Sequence, residues 1–201
     1  VFIGKLEESD WDLMKNNIPK EIVKVDFGKY DLKCNFTKWD EIISKYDPID
    51  TIHNISLDDI ITIIYTSGTT GIPKRVVLNY KAAATATKNL HLLFPLNEND
   101  RFISYLPLSH IAERALVEHG GILSGGKIYF VETLETFAKN LKDCKPTIFF
   151  GVPRIYTKFM TKILSIFPQS AINFIMSTPI LNNIFSFVIR KSLGLNKSRI
   201  C

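Results

Sequence analysis

Apolar runs and helical spacings alternate along this 201-residue chain, the order expected of a layered α/β fold. Residues 1–4 and 21–27 read as short strands. Over 36–46, Phe36, Trp39, Ile42 and Ile43 share one face, which predicts an amphipathic helix stopped by Asp47-Pro48. Residues 60–66 give the clearest strand signal. Ile60, Ile61, Thr62, Ile63 and Ile64 are β-branched and apolar on both faces, so a central, doubly covered place in a sheet is expected. Further strands are expected at 75–79, 102–106, 127–131 and 147–150, and helices at 80–94, 110–123 and 134–144. From 153 to 194 the pattern is helical throughout, with Pro168 and Pro179 as breaks. No uninterrupted apolar run there reaches the roughly 18–20 residues that span a bilayer.

Hydrophobic residues make up 46% of the chain and charged residues 22%, which suits a packed globular core and argues against disorder. The net charge of +5 is unevenly spread. Residues 1–60 hold 13 acidic and 8 basic side chains, whereas after Asp143 there is no acidic residue and eight Lys or Arg follow. A basic, apolar final third is able to face anionic lipid or nucleotide; acidic partners outside this sequence explain it equally well. Lys and Arg do not interleave with aromatic residues in a groove-like pattern, so nucleic acid is not an expected partner. The 3 cysteines, Cys34, Cys144 and Cys201, are widely separated, and no Cys/His group has zinc spacing. Both facts suit a reducing, cytoplasmic setting. Val1 opens inside an apparent strand with neither an initiator Met nor a signal sequence, which predicts a start inside a larger protein.

Chemistry concentrates in Tyr65-Thr66-Ser67-Gly68-Thr69-Thr70-Gly71-Ile72-Pro73-Lys74, which leaves directly from the 60–66 strand. α/β sheets place ligands at the carboxyl ends of strands. Gly68 and Gly71 allow backbone conformations that turn successive N–H groups toward an anion. The hydroxyls of Ser67, Thr69 and Thr70 add donors and Lys74 adds a positive charge, so the loop is suited to a polyphosphate. It is not a Walker A loop, because Lys74 lies between Pro73 and Arg75 and no Gly-Lys-Ser/Thr occurs. His119-Gly120-Gly121 suggests an oxyanion turn, but without a Gly-x-Ser-x-Gly elbow a hydrolase is not supported. His53 and His91 stand among non-ligand neighbours. The glycines at 120, 121, 125 and 126 are expected to shape a helix end and the turn into the next strand.

The decapeptide resembles the phosphate loop of the adenylate-forming (AMP-binding) superfamily. Ser104-Tyr105-Leu106-Pro107-Leu108-Ser109-His110-Ile111-Ala112-Glu113-Arg114 is similar to a segment of its long-chain fatty-acid–CoA ligases, as is Pro146-Thr147-Ile148-Phe149-Phe150-Gly151-Val152-Pro153-Arg154. The three occur in the family's order. The resemblance implies that residues 1–201 are part of a large N-terminal AMP-binding domain, without its start, its adenine-site half and the C-terminal lid domain. It also implies a fatty acid, ATP and coenzyme A as substrates, with Mg²⁺. Thr66, Ser67, Gly68, Thr69, Thr70, Gly71 and Lys74 would bind phosphate, Thr69 would lie near the metal, and Lys74 and His110 would serve catalysis. Glu113 and Arg114 are read as a local ion pair. Phe149, Phe150, Tyr156 and Phe159 read as core, with an acyl-tunnel wall as the sharper alternative. Arg75 stands where the family usually has Gly, and is expected to be tolerated and non-catalytic. A piece of this kind is expected to be inactive alone, its partners including the remainder of its own chain. Residues 153–194 leave peripheral membrane contact open. The competing readings are an aryl-CoA ligase or amino-acid adenylation domain, and an incomplete AMP-binding-type module that binds lipid or a partner.

Overall fold

A computed structural model describes residues 1–4, 8–27, 36–51, 54–67 and 71–201. The chain divides into two compact units, Val1–Asn54 and Ile55–Cys201. In the first, three two-residue strands, β1 (Phe2–Ile3), β2 (Val25–Asp26) and β3 (Thr37–Lys38), pair in parallel in that order. Helices α1 (Glu8–Met14) and α2 (Trp39–Lys45) accompany them. Ile3 and Trp11 are buried with Ile18 and Phe36 packed against them, and the Trp11 and Phe36 rings meet edge to face at 5.0 Å.

The second unit opens with β4 (Ile60–Thr66) and β5 (Lys74–Asn79), an antiparallel pair that brackets the polar loop. Helix α3 (Tyr80–Leu93) follows at once, because Asn79 caps it by accepting the Ala82 amide at 2.9 Å. Strand β6 (Arg101–Ser104) pairs in parallel with β7 (Lys127–Phe130). Between them the chain makes a π-helical turn, Glu113–His119, and a short helix α4 (Gly120–Ser124). Gly125 ends α4 at φ +68°, a conformation L side chains rarely adopt. Helix α5 (Phe137–Cys144) leads to residues 147–149, where Ile148 bridges Phe102 on one side and Ile200 on the other, both in parallel. Three helices, α6 (Pro153–Leu164), α7 (Gln169–Ser177) and α8 (Pro179–Leu193), complete the unit. Pro153 and Pro179 occupy first turns, where a missing N–H costs nothing, and Gly194 closes α8 at φ +82°.

The mixed architecture with parallel sheets agrees with the fold class expected from the pattern. The helix expected at 110–123 is present as a continuous helical run over 111–124, its middle seven residues in the wider π form. Two local expectations do not hold. Ile148 makes two parallel bridges, but residues 147–150 form no strand. Most consequentially, β4 is not doubly covered: of its seven residues only Ile64 is buried. That place belongs to β6. Successive side chains point to opposite faces of a strand. Phe102 packs with Leu96, Val117 and Ile148, while Ile103 packs with Phe137, Leu141, Cys144, Phe149 and Leu195.

Candidate phosphate-binding site

Thr66 and Lys74 are directly opposed at the ends of β4 and β5, so the pairing closes the base of the intervening loop. The Thr66 hydroxyl donates to the Lys74 carbonyl at 3.5 Å, a long bond across that base. Gly71 lies at φ +80° with nothing within 4 Å of where a Cβ would be. It is the backbone angle, and not lack of space, that requires glycine here. Thr66, Ser67, Gly71 and Lys74 are all exposed. Among the described residues the Lys74 ammonium makes no hydrogen bond or ion pair. A cation at the base of the loop, with the Thr66 and Ser67 hydroxyls and a left-handed glycine close by in sequence, suits an anion with several oxygens. Gly68, Thr69 and Thr70 lie outside the described residues, and with them the metal position assigned to Thr69.

Arg75 sits in β5 opposite Tyr65, in extended backbone. A residue there does not need glycine's freedom, which accounts for a side chain at this position.

The second segment begins at the carboxyl end of β6. His110 N–H donates to the Pro107 carbonyl at 2.8 Å and closes a turn, and the exposed His110 ring accepts the Ala112 amide on Nδ1 at 3.3 Å. The expected Glu113–Arg114 ion pair does not form. Neighbouring residues on a helical turn diverge, and these two go different ways. Arg114 pairs with Glu118 at 3.4 Å and donates from Nε to the Leu108 carbonyl at 2.9 Å. Glu113 turns inward and is only 2% exposed. Its Oε2 accepts the Leu106 amide at 3.3 Å, while Oε1 has no hydrogen-bond partner among the described residues. Burial raises the pKa of this carboxyl. The Ser104 hydroxyl, the Leu106 and Tyr105 amides and the charge at His110 oppose that shift without reversing it, and of these groups Leu106 completes a hydrogen bond.

The second and third segments are joined by a residue whose role the sequence did not disclose. The Tyr105 hydroxyl donates to the Phe150 carbonyl at 3.0 Å and accepts the Val152 amide at 3.2 Å. Its ring packs on Phe137 and Phe149 at 5.1 and 6.4 Å. Burial pushes this phenol above its usual range, against the effect of the Val152 amide. A tyrosine ending a strand is the one hint the sequence offers. Phe149 is buried as expected of core, whereas Phe150 and Tyr156 stay 41% and 40% exposed. Those two line a cavity of about 380 Å³ with Leu90, Phe94, Leu96 and Leu116 among its other walls. No hydrogen bond or ion pair among the described residues joins Thr66, Ser67 or Lys74 to His110.

A family model described as "AMP-binding enzyme" matches residues 5–175. The chain belongs to this family. The peroxisomal acyl-CoA ligase 891 of Penicillium brevicompactum is 45% identical over 109 residues, covering 54% of this chain and 15% of that protein. A long-chain-fatty-acid–CoA ligase of Rattus norvegicus is 32% identical over 160 residues, covering 72% of this chain and 24% of its own length. The chain thus spans about a sixth to a quarter of the length of the curated relatives it matches. Among solved structures, an adenylation–carrier didomain of a carboxylic acid reductase from Segniliparus rugosus in complex with AMP aligns with 81% of this chain and 23% of that chain, at 26% identity and a TM-score of 0.57. The Vibrio cholerae adenylation domain AlmE, in complex with glycyl-adenosine-5'-phosphate, shares the fold at 19% identity and a TM-score of 0.58, over 77% of this chain and 31% of that one.

Proposed function

We propose that this chain carries the pyrophosphate-holding part of an ATP-dependent ligase that joins a long-chain fatty acid to coenzyme A. The observation that carries the reading is Lys74, whose ammonium has no hydrogen bond or ion pair among the described residues, paired in register with Thr66 across the base of a loop that ends through a left-handed Gly71. In the reaction, the fatty carboxylate attacks the α-phosphorus of ATP and pyrophosphate leaves; the coenzyme A thiol then displaces AMP to give the thioester. Thr66, Ser67 and Lys74 would hold the β- and γ-phosphates, and their donors would stabilise charge as it grows on the leaving group. Mg²⁺, when bound with ATP, would supply further neutralisation of those phosphates. His110, an exposed ring with Nδ1 engaged by Ala112, is free to offer Nε2–H to the carboxylate. The 380 Å³ apolar cavity beside Phe150 and Tyr156 is the place for the acyl chain.

Fatty-acid-dependent ATP–pyrophosphate exchange tests this reading, with acids from acetate to oleate. The chain is assayed alone and grafted in place of the matching segment of a full-length long-chain ligase. Exchange that grows with chain length in the graft and is lost in Lys74→Ala is the expected result. A folded graft with no exchange on any acid would replace this reading with a lipid- or partner-binding module. Shorter or aromatic acids working best would favour the aryl-acid reading.

A cytoplasmic enzyme that touches membranes peripherally is part of the same proposal. No described helix is long and apolar enough to cross a membrane. However, α7 and α8 expose Phe174, Ile180, Ile184 and Phe187 in the stretch after Asp143, which holds no acidic residue. Flotation with anionic but not zwitterionic vesicles is expected; flotation with neither removes this part.

A further inference from the structure

The turn between β6 and the π-helical turn is held from two sides by side chains that the reaction described above does not use. At its entry, the Leu106 amide donates to Oε2 of Glu113. In its middle, the Leu108 carbonyl accepts Nε of Arg114. At its exit, the His110 carbonyl accepts the backbone N–H groups of Glu113 and Arg114 at 3.1 and 3.3 Å. Besides the His110–Pro107 bond inside the turn and the Ala112 amide on the His110 ring, the polar contacts described for the turn run to residues 113 and 114. Glu113 contributes from the interior, where it borders a cavity of about 260 Å³ with Ser104, Val117 and Ile128. Arg114 contributes from the more exposed side and is itself steadied by Glu118.

The consequence falls on His110. Its Nδ1 accepts the Ala112 amide, so the proton of the neutral ring resides on Nε2. That hydrogen bond exists only while the turn places the ring over the first residues of the helical turn. The hydrogen bonds of a π-turn span one more residue than those of an α-helix, and such turns recur at functional sites.

We propose that Glu113 and Arg114 are positioning residues which fix the 106–110 turn from opposite sides and so present His110 in a single orientation as an Nε2–H donor toward an anion. That the anion is a substrate carboxylate rests on the adenylation reading; the positioning itself does not. Glu113 acts through an acceptor oxygen and not through charge. Burial favours its protonated form, and Gln at this position keeps an acceptor of the same shape.

Imidazole ¹⁵N shifts of His110, measured on this chain in mildly alkaline solution and assigned with His110→Gln, test the proposal together with hydrogen exchange at the Leu106 amide. In the unaltered chain the two ring nitrogens are expected to be those of one Nε2–H tautomer. In Glu113→Ala and Arg114→Met they move toward the averaged values of a free histidine. Exchange at Leu106 accelerates about tenfold in Glu113→Ala, the loss of one hydrogen bond. Glu113→Gln restores both readouts. If Glu113→Ala does not fold, Glu113→Gln and Arg114→Met decide the matter. His110 shifts that stay put in folded Arg114→Met, or that are lost in Glu113→Gln, overturn the proposal. No substrate or turnover enters the measurement, so failure of the ligase reading would leave its outcome intact.

Discussion

Strands β4 and β6 stand a short distance apart in sequence and have opposite fates. β4 reads Ile-Ile-Thr-Ile-Ile-Tyr-Thr and looks made for a core, yet Ile60, Ile63 and Tyr65 are 59%, 45% and 60% exposed. β6 reads Arg-Phe-Ile-Ser, shorter and more polar, yet Phe102 and Ile103 are 2% and 3% exposed. The difference lies in what surrounds each. β6 has β7 on one edge and Ile148 on the other, with a hydrophobic cluster on each face. β4 has β5 alone. A β-branched run states what a strand tolerates, and its neighbours decide what it receives. The proposed function follows the same division: the open hairpin would offer a cation and hydroxyls to a ligand, and the packed strand would supply the base for the His110 turn.

The contrast predicts unequal sensitivity. Leu141 is 1% exposed against the Ile103 face of β6, and Leu141→Ala should cost about 3–4 kcal/mol in chemical denaturation. Gly194→Ala should cost about 2–3 kcal/mol, because at φ +82° its Cβ would meet Lys142 Cα at 2.6 Å and the Leu141 carbonyl at 2.7 Å. Both losses fall on the core around β6.

The third test concerns the polar lock beside that core. Buried Asp100 binds Arg199 at 2.7 Å and the Thr147 hydroxyl at 2.6 Å, tying residues 99 positions apart. Burial pushes its pKa upward, but the bonds from Arg199, Thr147 and the Asn97 amide prevail and hold it below 3.8. A lowered folded pKa gives stability that is present above the unfolded value and lost as pH falls through the folded one. Asp100→Asn should therefore cost about 2 kcal/mol at neutral pH, discounted from a fully buried pair because Arg199 is 39% exposed. The penalty should shrink as pH falls below about 4. A penalty independent of pH would show that packing and not charge sets it. The smallest effect is expected in the hairpin, where Ile63→Ala should cost less than about 1 kcal/mol. A loss equal to that of Leu141→Ala would erase the distinction between the two strands.

Much of this was legible because it is local. The polar loop between two strands, the helix directly after the 75–79 strand, the break at Pro179 and the glycine-shaped end of α4 all follow from residues next to one another. What was not legible depends on distant partners. The cover on β6 comes from residues 96, 117, 137, 141, 148, 149 and 195. Adjacent Glu113 and Arg114 suggested a pair, and only the β6 end waiting beneath the turn explains why Glu113 leaves its neighbour for the Leu106 amide. The Tyr105 link between two of the three diagnostic segments was hidden in the same way, since Phe150 and Val152 lie more than forty positions ahead. The phosphate loop itself was named from its hydroxyls, glycines and lysine. The structure adds the closed base at Thr66 and Lys74 and the positive φ of Gly71.

Titration of the chain with pyrophosphate and Mg²⁺, followed by backbone amide shifts, asks whether the loop from Thr66 to Lys74 receives a polyphosphate. Saturable shifts are expected at Thr66, Ser67, Gly71 and Lys74, with little change along β6 and loss of the response in Lys74→Ala. A folded chain whose hairpin amides do not move, or move equally in Lys74→Ala, would contradict it.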